Sequence, residues 1–116
     1  MSSRVSGQIW FDDAAGQFTG ATLRVKLEET SRADAPAREI SQLVISNYSH
    51  SPGEPPADFV LSVHPIDLSA RYEVRVHLDL DGNGEYAAGD QITTQSYPVL
   101  THGYPDTIQI RLQQIG

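Results

Sequence analysis

Residues 79–90 read Asp-Leu-Asp-Gly-Asn-Gly-Glu-Tyr-Ala-Ala-Gly-Asp, and this spacing is that of a calcium loop. Asp79, Asp81 and Asn83 stand at loop positions 1, 3 and 5, and Asp90 stands at position 12. A hard cation needs six to eight oxygens on a short, sharply turned segment. Gly84 falls at position 6, where the turn is tightest, and Glu85 at position 7 would donate its backbone carbonyl. Ala87 at position 9 has no side-chain oxygen, so a water would fill that place. The bland alternative is that Asn83-Gly84 is a plain hairpin turn. Calcium is the expectation because a hairpin has no use for so many acidic groups in a segment without Lys or Arg, and its role would be to pin one loop. The short Asp90 at the last position predicts weak affinity, with a Kd on the order of 10⁻⁴–10⁻³ M.

Other chemistry is poorly represented. His50, His64, His77 and His102 lack the spacings of a transition-metal site, and His64 and His77 take the outward parity expected of solvated surface residues. No Gly-x-Ser-x-Gly elbow and no phosphate-binding glycine loop occurs, so no enzyme is expected. Trp10 and Tyr104 are candidate contacts for a partner or a carbohydrate, on residue type. Trp10 has outward parity unless a bulge at Gly7 shifts the register, and its strand is expected beside that of Arg24.

The elements that must carry these residues alternate with period two. In 21–29, Leu23, Val25 and Leu27 face one way and Arg24 and Lys26 the other. In 71–80, Tyr72, Val74, Val76, Leu78 and Leu80 face inward, and in 107–113 Ile108, Ile110 and Leu112 do. Weaker strands are expected at 4–11, 39–48, 58–64 (Phe59, Leu61) and 91–99, and no window predicts a helix. The turn formers of 49–56 and 81–89 separate them. Seven short strands with one apolar face each predict a two-sheet β-sandwich of immunoglobulin or transthyretin type, spanning 4–114 as a single domain, with a small β-barrel as the runner-up.

Composition narrows the partners. Eight Lys and Arg against fifteen Asp and Glu give a net charge of −7, with the cations scattered along the chain, so neither nucleic acid nor an anionic membrane is an expected partner. There are no cysteines, and no apolar run approaches the roughly 20 residues of a membrane helix, so no membrane insertion is expected. A monomer is expected, cytoplasmic as the sequence stands, or periplasmic or extracellular if the calcium loop is filled.

Three blocks carry a family resemblance: Ser31-Arg32-Ala33-Asp34-Ala35-Pro36-Ala37, Arg71-Tyr72-Glu73-Val74-Arg75-Val76, and Tyr97-Pro98-Val99-Leu100-Thr101 with Gly103. In this order they resemble the YbaY/YscW type of bacterial lipoproteins, known as type III secretion lipoprotein chaperones or pilotins. The resemblance implies a β-sandwich without enzymatic activity and, in pilotin members, help for an outer-membrane secretin in reaching its place. Two departures are expected: the sequence as it stands lacks the signal peptide and lipid-bearing cysteine of pilotins, and the calcium-type loop stands where the family's usual form is expected to have a shorter hairpin. The expectation is a soluble relative with an added cation site, or else a chaperone that captures an extended peptide of a protein partner at a sheet edge.

Overall fold

The structure is a computed structural model that describes residues 3–31 and 35–116; Arg32, Ala33 and Asp34 of the first family block lie outside them. Among the described residues there are eight strands: β1 (Ser3–Trp10), β2 (Phe18–Glu29), β3 (Arg38–His50), β4 (Ala57–Val63), β5 (Tyr72–Asp79), β6 (Gln91–Thr93), β7 (Pro98–Val99) and β8 (Thr107–Gln114). One turn of 3-10 helix at Asp13–Ala15 begins where the Asp12 carboxylate caps the Ala14 N–H, a short helical element the sequence does not announce.

The all-β expectation holds, while the exact two-sheet immunoglobulin type is not confirmed. Hydrogen bonds run without a break along β3-β2-β5-β6-β8-β1-β4, with β7 pairing β5 to one side. The join is β8, which pairs antiparallel with β6 and parallel with β1. The sheet therefore curls round one core, nearer to the barrel than to the immunoglobulin-type sandwich. The expected strand at 91–99 divides in two, because β6 pairs with β5 at His77 and Leu78 and β7 reaches the other end of β5 at Tyr72 and Glu73.

The inward parity read from sequence builds this core. Leu23, Val25, Leu27, Phe59, Leu61, Tyr72, Val74, Val76, Ile110 and Leu112 are buried, and Ile108 packs against them partly buried. Leu80 departs from its expected inward place and is exposed, because the chain leaves β5 at Asp79 and the Asp90 carboxylate takes the Leu80 N–H. Gly7 makes no bulge; its register with both neighbours is regular. Its lack of a side chain serves the β1–β8 approach instead, since a Cβ there would overlap the Ile108 carbonyl.

The two ends of the path, β3 and β4, touch but form no ladder, and their lengths differ, thirteen residues against seven. Near residues 48–50 the gap is closed by side chains. Phe11 packs against Phe18 (5.2 Å between centroids, edge to face), Tyr48 (5.6 Å) and His50 (4.6 Å). Burial, with the carboxylates of Glu54 and of Asp58 on β4 nearby, raises the Tyr48 hydroxyl pKa above its ordinary 10.0.

Candidate functional site

Two regions carry candidate function: the connection from β5 to β6, and the free flank of β3. In the first, the segment after Asp79 folds back over the outer face of β2 and β5. Outward residues there become buried, His77 at 6% exposure, Asp79 at 0% and Asp90 at 1%. His77 is thus no solvated surface residue. Its Nε2 lies 2.7 Å from Asp90 Oδ2, and the ring of Tyr86 stands edge-on to it at 4.6 Å.

Of the five expected calcium ligands, Asp79 and Asp90 lie at the buried inner end of the connection, and Asp81 reaches back to the Asp79 carboxyl. Among the described residues, the potential metal ligands that gather at one point are His77, Asp79 and Asp90, whose donor atoms lie within 4.8 Å of one another. Asp81, Asn83 and Glu85 stay at the exposed tip. There Asp81 accepts the Asn83 N–H at 3.2 Å, and the Asn83 side-chain oxygen accepts the Glu85 N–H at 2.8 Å. The inner carboxylates are engaged as well. Asp79 accepts from the N–H groups of Gly82 (3.1 Å) and Gly84 (2.7 Å), and Asp90 from those of Leu80 (3.0 Å) and Ala87 (3.2 Å).

The positive charge missing from the loop comes from β2. Arg24 Nε donates to Asp79 Oδ2 at 3.3 Å, and Arg24 Nη2 donates to the Gly82 carbonyl at 3.3 Å. Burial alone would raise the Asp79 pKa, yet the N–H groups of Gly84 and Gly82, with Asp81 and Arg24, outweigh it and hold the carboxyl below its ordinary 3.8. No buried side-chain nitrogen or oxygen among the described residues is left without a partner. A guanidinium thus lies against Asp79, the first of the expected calcium ligands.

Sequence reasoning missed Arg24 and His77. A signal existed for the second: His77 and Asp79 are two apart on one strand and share a face. For Arg24 there was none, since the pairing of β2 with β5, Arg24 opposite His77, is a tertiary fact. The same pairing sets Lys26 opposite Arg75, so three of the eight cations line one cavity of about 420 Å³ with Glu28, Glu73 and Tyr86. Acidic neighbours answer the charge, Glu39 at 3.7 Å from Lys26 and Glu73 at 3.6 Å from Arg75.

Trp10 is half-buried and in use: its Nε1 donates to Gln109 Oε1 at 2.6 Å, and the Arg111 guanidinium lies 5.5 Å from the ring centroid. Its strand lies between β4 and β8, not beside that of Arg24. Tyr104 is 46% exposed, at an open groove shared with Arg4, Ser6 and Thr107.

The second region is β3. Among the described residues it pairs on one side alone, with β2. Its inward side chains Ile40, Leu43 and Ile45 pack against the core yet remain partly exposed, and Val44 on the other face is 42% exposed. With no strand paired on its other side among the described residues, the stretch 38–46 is a strand edge with an apolar border. No helix among the described residues is long and apolar enough to cross a membrane.

No curated protein matches this chain. Among solved structures, an alternative pilotin from the type II secretion system of Vibrio cholerae is similar over all of this chain and 99% of its own, with a TM-score of 0.78 and 23% identity, a likeness of fold. The sequence model of the type III secretion system lipoprotein chaperones, YscW, matches residues 1–112, which is nearly the whole length. The chain belongs to the YscW family of type III secretion system lipoprotein chaperones.

Proposed function

We propose that the protein is a noncatalytic secretion chaperone of pilotin type, which binds an extended segment of a secretion-system protein along the free flank of β3. Membership of a chaperone family supports a protein partner, for which the resemblance points to an outer-membrane secretin. The observation that carries the site is the long edge itself. Nine residues, 38–46, lie beyond the aromatic closure at 48–50, with Ile40, Leu43 and Ile45 half-covered beside unpaired backbone groups. A partner strand would supply hydrogen bonds through its backbone and cover those side chains with alternate apolar residues of its own. Nothing in this reading requires the β5–β6 connection.

The test is co-purification of the chain with the secretin of its own secretion system, wild type against the double variant Gln42→Lys/Val44→Lys. Both positions are exposed, so the variant should fold as the wild type does, while charge on an edge discourages strand addition. Capture should fall at least about tenfold, which corresponds to roughly 1.4 kcal/mol. Equal capture by a folded variant would place the partner elsewhere.

A further inference from the structure

The β5–β6 connection has the residues of a calcium loop and the geometry of one that is already closed. We infer that Arg24 takes the part that the loop pattern gives to a bound cation, so that a protein side chain holds this connection and calcium does not. Its contact with Asp79 is one that an ion would make. The guanidinium bonds the carboxylate of the first loop residue, Asp79, and the backbone carbonyl of the fourth, Gly82, each at 3.3 Å. It arrives from outside the loop on β2, in the strand position between Thr22 and Lys26, and its side chain is 22% exposed against 0% for Asp79.

Charge and reach both argue for substitution rather than coexistence. A divalent ion bound to Asp79 would lie within a few ångströms of a fixed positive group, and at that separation like charges repel strongly in a partly buried setting. The final ligand is engaged too, because Asp90 Oδ2 faces His77 Nε2 at 2.7 Å and its Oδ1 holds the Leu80 N–H at 3.0 Å. Arginine suits the task because its fork of donors can serve a carboxylate and a carbonyl together and cannot lose its charge. This inference stands independently of the partner site on β3.

The experiment is a set of melting curves of the full chain in chelator and in about 5 mM calcium, for wild type, Arg24→Gln, Arg24→Lys and Arg24→Gln/Asp81→Ala. The wild type should melt at one temperature in both conditions. Arg24→Gln should melt roughly 5 °C or more lower in chelator and recover several degrees in calcium, and the added Asp81→Ala should abolish that recovery. Arg24→Lys keeps the charge and should stay insensitive to calcium. If Arg24→Gln does not fold in chelator, the recovery of folded signal on adding calcium reads the same way. A wild-type melting point that rises with calcium would overturn the inference, as would an Arg24→Gln variant unmoved by calcium or an Arg24→Lys variant that responds to it.

Discussion

The β5–β6 connection and the flank of β3 both offer polar groups at the surface of the barrel, and they use them in opposite ways. In the connection, the buried Asp79 and Asp90 meet Arg24, His77 and four backbone N–H groups, so the chemistry is spent inside the chain. On β3, a row of backbone groups faces no strand among the described residues and three apolar side chains remain half-covered. A region rich in functional residue types can thus be a structural closure, while one that looks like an ordinary strand keeps its bonding capacity unspent.

The largest effect comes from placing the same substitution in two strands. Val74 in β5 is fully buried, and Val74→Asp should unfold the domain, since a lone buried charge costs more than a fold of this size can lose. Val44→Asp on β3 should shift stability by no more than about 0.5 kcal/mol. Urea denaturation followed by circular dichroism distinguishes them, and similar losses would mean that β3 is covered.

Next in size is the contrast within the connection. Asp79→Ala leaves Gly82, Gly84 and Arg24 without their acceptor and should cost about 2–4 kcal/mol, whereas Asp81→Ala at the exposed tip should cost under about 1 kcal/mol. Equal losses from the two, measured in chelator by the same denaturation curves, would show that the connection is not held from its inner end.

How much of this was legible in the sequence depends on the range of the contacts. Leu23, Val25, Leu27, Val74 and Val76 could be placed because period two is local, and each neighbour in sequence reports the face. The joining of the strands into one sheet could not, because it turns on the parallel pairing of β8 with β1, about a hundred residues apart, for which Gly7 is the local trace. Alternation also misplaced His77 and Leu80, since parity states which face a residue takes and not whether a loop folds over that face. The oxygen acceptors of the loop, Asp79, Asp81, Asn83 and Asp90, are visible in the sequence itself. What answers them, Arg24, lies 55 positions from Asp79 in the chain.

A smaller effect is expected at Trp10, which belongs to neither region. Trp10→Ala removes the bond to Gln109 and the Arg111 stacking and should cost about 1–2 kcal/mol while leaving partner capture unchanged. Lost capture would move the partner site towards β1 and β8.

The smallest is a dependence on pH at the turn between β4 and β5. The Ser69 hydroxyl and N–H both bond Asp67 Oδ1 and lower its pKa below the ordinary 3.8. A lowered folded-state pKa stabilises the fold above the ordinary value, and that contribution is lost as pH falls through the folded one. Asp67→Asn should therefore melt slightly below the wild type at pH 7, and the difference should vanish in strong acid. A gap that widens on acidification would reverse the sign.

Hydrogen exchange along the whole chain, with and without the secretin proposed as its partner, tests the contrast between the two regions most directly. In the free protein the amides of Gly82, Gly84 and Ala87 should exchange slowly for a loop, since each bonds a buried carboxylate, while outward-facing amides in 38–46 should exchange fast for a strand. Adding the partner should slow exchange within 38–46 and leave the connection as it was. Protection that appears in 80–90 on binding, with β3 unchanged, would contradict the assignment of β3 as the binding edge.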